Sequence, residues 1–218
     1  MHFLSYDGPL MAALRKLINY TFLGILWLLV SIPVITFGAA TTAALQTAEA
    51  SIRQDEGRIL HTFFTHFRHE FKQATLLWVL ELAVLAVLYV DISLVIKSSL
   101  SGVLQFVIYA ILLVVFCWIQ LWFGYLSKFV DTTRTLLRNT FLIMIASFGQ
   151  SFLMSLLTVV SLIGGFLTFP LLIPIMLLIP GLYIMGYIAL LHKVLAKYLP
   201  AQETEESVDD EQIPENIS

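Results

Sequence analysis

The stretch TLLWVLELAVLAVLYVDISLVI, Thr75–Ile96, decides the fold. A helix rising about 1.5 Å per residue needs roughly 20 apolar residues to cross a hydrocarbon core of about 30 Å. This stretch meets that length, and four others resemble it: Leu17–Phe37, Val103–Tyr125, Phe141–Ile163 and Phe166–Leu191. The composition agrees. Of 218 residues, 59% are hydrophobic and 12% are charged, against about 25% charged in a soluble domain. So short a chain cannot hide this much apolar surface from water. The expected fold is all-α: a polytopic transmembrane helix bundle of about five spans, forming one integral membrane domain over residues 1–200.

The ends differ from this body. Glu203, Glu205, Glu206, Asp209, Asp210, Glu211 and Glu215 fill the last stretch with no Lys or Arg beside them. Such a segment, 201–218, reads as an acidic disordered tail that keeps the chain soluble on its aqueous side. At the other end, MHFLSYDGPLMAALRKL carries Asp7 and delays its bases to Arg15 and Lys16. The apolar run after it is too long for a signal peptide, so the first span is expected to stay in the mature protein.

Five spans alternate the connections between two sides. One side receives Arg15, Lys16 and Lys97, with a turn at Gly164–Gly165 between the last two spans. The other receives Arg53, Arg58, Arg68, Lys72, Lys128, Arg134, Arg138, Lys193 and Lys197. Basic short loops stay in the cytoplasm. The expectation is therefore a multi-pass protein of the cell (cytoplasmic) membrane with a cytoplasmic C-terminus and an outward N-terminus. Arg15 and Lys16 oppose this orientation, because they abut the first span, and Pro33 and Gly38 could break that span. A segment that dips in and returns would leave the N-terminus cytoplasmic.

The longest polar connection is Ala39–Lys72. AATTAALQTAEASIRQ is Ala-rich and predicts a helix continuing the first span beyond the membrane. Asp55–Gly57 signals a turn. Then Leu60, Phe63, Phe64, Phe67 and Phe71 recur at helical spacing, with Arg68, Glu70 and Lys72 on other faces. This predicts an amphipathic cytoplasmic helix running into the second span.

Few residues carry chemistry. Glu81 lies within the second span, where an ionised carboxylate costs at least about 2.5 kcal/mol. It reads as a proton or cation site, or as a buried hydrogen-bonding group. Asp91 sits about 280° further round the helix, so the two share no face. His66 and His69 have the spacing of a metal pair, but His61 lies on another face and no H-E-x-x-H is present; no metal site is expected. Cys117 is alone and reads as a small buried apolar residue. Trp78, Trp118, Trp122 and Tyr125 read as interfacial anchors. Gln120, Gln150 and Ser151 read as interhelical hydrogen-bonding groups. Pro170, Pro174 and Pro180, with Gly181 and Gly186, break the fifth span, as in the discontinuous helices of transporters. No nucleophile–base pair, phosphate loop or nucleic-acid patch is visible. No catalytic residue, cofactor or nucleic-acid partner is expected.

Three stretches taken together, D-G-P-L-M at Asp7–Met11, S-I-P-V-I-T-F-G-A-A-T-T-A at Ser31–Ala43 and F-F-T-H-F-R-H-E-F-K-Q-A-T-L-L-W at Phe63–Trp78, resemble the YesL-like family of bacterial membrane proteins. The acidic tail and the histidines lie outside the resemblance. It implies no catalytic residues. It implies a non-enzymatic accessory or assembly component beside a carbohydrate ABC importer, with the bilayer and permease subunits as partners. Pro33, Gly38 and Thr41 then suit a bend where the first span leaves the membrane. Together with Phe64, Phe67, Phe71, Lys72 and Gln73, these three would form an interaction surface. The alternative is a small oligomeric transporter or channel using Glu81 and the proline-broken fifth span.

Overall fold

A computed structural model describes residues 9–54, 58–97, 102–168 and 173–195. The acidic tail, the Asp55–Gly57 turn and Pro170 lie outside the described residues. Within them the chain is helical, with no strand: α1 Pro9–Ser31, a 3-10 turn Val34–Thr36, α2 Phe37–Gln54, α3 Ile59–Lys97, α4 Gly102–Ile119, α5 Trp122–Leu126, α6 Thr133–Ala146, α7 Phe148–Thr168 and α8 Ile173–Leu195. Five segments are long and apolar enough to cross a membrane: Ala13–Ser31, Ile59–Lys97, Gly102–Leu126, Phe148–Leu167 and Leu178–Leu195. The protein is a multi-pass helical membrane protein.

Its centre is α2. Ala39, Ala40, Thr42 and Ala43 are wholly buried, and Ala44, Leu45, Thr47 and Ala48 nearly so. Small side chains let α1, α3, α5 and α8 approach this helix, the packing mode available where lipid removes the hydrophobic drive. Thr42 donates to the Gly38 carbonyl (3.1 Å) and Thr41 to that of Phe37 (2.8 Å), so both hydroxyls are satisfied within the helix. At its far end, Glu49 ties α2 to Lys128 (2.7 Å) and to His192 of α8 (2.6 Å).

Three expectations need correction. The first span ends at Ser31, not Phe37, because Pro33 has no N–H to donate and forces the residue before it out of the helical region. The chain then reverses: Trp27 donates to Thr41 across the break (3.0 Å), and Trp27 meets the Phe37 ring edge-on. The Ala-rich helix therefore runs back along α1 instead of continuing it. Second, Gly164–Gly165 is not a turn. Both lie inside α7, which runs on to Thr168, and the expected fourth span Phe141–Ile163 is itself divided at Ser147 (φ −129°, ψ 40°) between α6 and α7. Lipid-exposed backbone must keep its hydrogen bonds, so paired glycines in an apolar run stay helical. Third, Trp122 and Tyr125 are buried in the core instead of anchoring at an interface. The predicted cytoplasmic helix and second span are both present, fused into the single helix α3.

One of the tightest contacts joins α1 to α8. A Cβ on Gly24 would lie 2.5 Å from the Gly181 nitrogen, and one on Gly181 would lie 2.6 Å from the Tyr20 carbonyl oxygen. No side chain fits between these backbones. Gly24→Ala or Gly181→Ala is expected to cost about 1–3 kcal/mol, as overpacking of a filled interior does. A lowered thermal midpoint of the purified protein in mild detergent would show it. Gly102→Ala, where an added methyl meets nothing within 4 Å, serves as the control.

Candidate functional site

A cavity of about 670 Å³ lies where α1, α2, α3, α4, α7 and α8 face one another. Three chain irregularities border it. Phe37 and Thr41 follow the Pro33 break. Pro180 lies inside α8, which stays one continuous helix where the sequence predicted a broken span. Gln120 occupies the gap between α4 and α5. At that gap the Leu121 N–H bonds the Trp118 carbonyl (3.1 Å) in 3-10 fashion. The Gln120 carbonyl takes a hydrogen bond from the Tyr187 hydroxyl. Tyr187 thereby occupies an acceptor exposed by the loosened turn.

The walls are apolar: Trp27, Leu85, Phe116, Phe123, Leu162 and Ile184 are typical. One polar chain crosses them. Thr158 of α7 donates to Gln120 Oε1 (3.1 Å) and contacts the Tyr183 hydroxyl of α8 (3.3 Å). Glu81 also lines the cavity, with 9% of its surface accessible. Its Oε2 is buried and finds no hydrogen-bond partner among the described residues. It lies within electrostatic reach of Tyr183 and Tyr187. A buried carboxyl oxygen left unpaired is costly. An ionisable group in that state within an apolar cavity is a candidate ligand-binding group. The cavity also includes Leu162 and Phe166, which α7 exposes outward. It therefore reaches the surface that lipid covers.

The other residues singled out from the sequence are dispersed. Gly38 is buried, and a Cβ there would lie 2.5 Å from the Ala74 carbonyl oxygen and 2.7 Å from Trp78 Cβ. Pro33 caps the 3-10 turn and is exposed. Thr41 lines the cavity. Gln73 donates to the Asp131 carbonyl (2.7 Å), beside a second network in which Tyr125 donates to Asp131 Oδ2 (2.6 Å) and Asn139 to the Tyr125 hydroxyl (2.8 Å). Phe67 and Phe71 are half-buried against the core, whereas Phe64 and Lys72 are exposed. Thr41 and Glu81 thus come together, and the phenylalanine ridge is a separate feature. Asp91 does not join the cavity lining. His69 contacts Glu70 (2.9 Å), and among the described residues no three potential ligands converge on a metal position.

Sequence reasoning found Glu81, Gln120 and Pro180 one by one. It missed Thr158, Tyr183 and Tyr187. Tyrosines spaced by four on a largely apolar helix were the available signal.

A family model described as "Protein of unknown function, DUF624" matches residues 20–92. The match covers less than half of the chain, from the second half of α1 through α2 and most of α3. It includes Trp27, Thr41, Trp78 and Glu81. The YesL-like resemblance of these stretches is consistent with it. No curated protein and no solved structure matches the chain.

A residue kept for binding at the expense of stability should repack well as a hydrocarbon. Glu81→Leu is therefore expected to raise the thermal midpoint in detergent, and Glu81→Gln to leave it within a few degrees. A strong loss of stability in Glu81→Leu would instead mark Glu81 as a structural hydrogen-bonding group.

Proposed function

We propose that the chain is a small non-enzymatic transporter whose ligand occupies the Glu81 cavity within the membrane. The carrying observation is the unpaired, buried Glu81 Oε2 in an otherwise apolar cavity. A carboxyl in that setting favours a ligand that donates a hydrogen bond or brings a positive charge on an apolar body. The lipid-facing rim at Leu162 and Phe166 favours entry from the bilayer. Pro180 inside α8 leaves a helix carbonyl without its usual donor and favours bending of that helix there. An oligomer would suit this role, since so few helices enclose the site.

Trp27 and Trp78 line the cavity, so ligand binding can be read from intrinsic fluorescence. A brominated long-chain alkylamine, titrated into protein in lipid nanodiscs, is expected to quench saturably. Glu81→Gln is expected to weaken that binding at least tenfold, and a brominated alkane of equal length to show no saturation. Equal saturable quenching in wild type and Glu81→Gln would sink this reading.

A second reading is an accessory or assembly component beside a carbohydrate ABC importer. The exposed Leu60, Phe64 and Lys72 on the first turns of α3 favour it, since an apolar pair one turn apart offers a groove-filling ridge. Affinity purification from the native host in mild detergent should then recover permease or ATPase subunits, and Leu60→Glu with Phe64→Glu should abolish the recovery. Purification of the protein alone would remove this reading's support.

A further inference from the structure

We propose that the Glu81 cavity exchanges one proton for one monovalent organic cation. The empty cavity holds Glu81 as the neutral acid. A cation that enters pairs with the carboxylate and sends the proton to bulk water. This deepens the transporter reading above and rests on it.

The cavity supplies no countercharge. Its lining is drawn from α1, α2, α3, α4, α5, α7 and α8. Among the described residues, none of these elements places a Lys, Arg or His in that lining, and Glu81 is its one acid. The other titratable groups there are Tyr183 and Tyr187 of α8, both within electrostatic reach of Glu81.

The protons of both tyrosines are committed elsewhere. Tyr187 donates to the Gln120 carbonyl. The Thr158 hydroxyl has a single proton, directed at the Met154 carbonyl (3.0 Å) or at Gln120 Oε1 (3.1 Å). In its contact with Tyr183 (3.3 Å) Thr158 is therefore the acceptor, and Tyr183 donates. Thr41 is closed in the same way, donating to the Phe37 carbonyl (2.8 Å) and accepting from Trp27 (3.0 Å). None of these groups serves Glu81, whose Oε2 stays buried and unpaired. An ionised carboxylate placed there would lose its hydration and gain no partner, so the group keeps its proton.

A cation reverses that balance. Away from water, an opposite charge against the carboxylate is worth far more than in solution. Binding converts the neutral acid and a free cation into a carboxylate–cation pair and one proton in bulk water. One positive charge is present before and one after, and no covalent bond changes except the O–H of Glu81. The sum is the same for an amine that arrives from lipid as the neutral base, because it has left its own proton in water. The coupling is reciprocal: the cation expels the proton, and protons expel the cation. One carboxyl fixes the ratio at one to one. The empty acid and the filled ion pair are both neutral at Glu81, so a carrier alternating between them is driven by a pH difference and is indifferent to membrane potential. The apolar walls around Phe116 and the rim at Leu162 and Phe166 take the apolar body of the cargo.

The probe is a brominated long-chain alkyltrimethylammonium, whose charge is the same at every pH. It is titrated into the protein in nanodiscs of neutral lipid, in weak buffer near neutral pH. Quenching of Trp27 and Trp78 reads binding, and a soluble pH indicator reads proton release. Near neutral pH an exposed carboxyl has no proton to give up, so released protons come from a sheltered one. The expected result is saturable quenching with close to one proton released per cation bound. The apparent Kd should rise about tenfold for each unit by which the pH is lowered. Glu81→Gln should release no proton at concentrations that saturate the wild type. Asp91→Asn, outside the cavity lining, should behave as the wild type does. Saturable, Glu81-dependent quenching without proton release would overturn the exchange and leave the cavity reading standing. Proton release that persists in Glu81→Gln would also overturn it. Absence of saturable quenching in the wild type would remove both.

Discussion

The structure depends on one constraint: α2 cannot face lipid. Its sequence, FGAATTAALQTAEASIRQ, offers alanines, threonines, a glutamine and a glutamate where a lipid-facing helix needs large apolar side chains. Among apolar, lipid-facing helices it is stable only if other helices surround it, because groups that lipid cannot solvate must be shielded by protein. The contacts of α2 with α1, α3, α5 and α8 are that shield. Alanine makes the shield possible by letting four neighbours come close. The Glu49 pairs with Lys128 and His192 then fix the end where the helix meets the polar zone.

The same constraint produces the cavity. Beside the closely packed Gly38 and Ala39–Ala44 stretch, the rings of Phe37, Trp27 and Trp78 border the cavity. Phe37, Trp27 and Trp78 hold that opening apart: Phe37 packs on Trp78 with centroids 4.4 Å apart and on Trp27 at 5.5 Å. Backbone breaks at Pro33 and Gln120 fall at this level. The bundle is close-packed on one side of the site and irregular around it, an arrangement in which a ligand can be held against a rigid floor.

How much of this was legible varied by residue. The apolar stretches of α3, α4, α7 and α8 announced themselves because hydropathy over about 20 residues is a strong signal. The break at Pro33 was visible because proline removes a donor. The reversal of the chain beyond Pro33 was not visible. The polarity of α2 reads as a water-exposed helix, since composition reports the need for shelter and not whether protein or water supplies it. The Ser147 and Gln120 breaks carry no proline or glycine, so no local rule marks them. At Gln120 a tertiary partner, the Tyr187 hydroxyl, takes over the carbonyl. Glu81 was legible as an anomaly, but its companions Thr158 and Tyr183 were not, because single hydroxyls in apolar helices usually bond their own backbone. Thr158 does this too, donating to Met154, and it reaches Gln120 in addition.

The position of Glu81 on α3 links the α1–α2 turn to the cavity. Trp78 and Glu81 are three residues apart, so they lie on neighbouring faces less than one turn apart. Trp78 holds the Val34 carbonyl at the break, and Glu81 faces the cavity. The α3 side of the site, lined by Trp78, Glu81 and Leu85, thus adjoins a short non-helical turn tied by a few hydrogen bonds. The opposite walls are long continuous helices. A ligand that presses on Thr41 or Phe37 acts on the weakest backbone in the bundle, and any opening of the cavity by the α1–α2 turn would leave the α7–α8 floor in place. A carboxyl kept unpaired beside that turn sits where binding and movement are most readily coupled, the arrangement a carrier needs and a static scaffold does not.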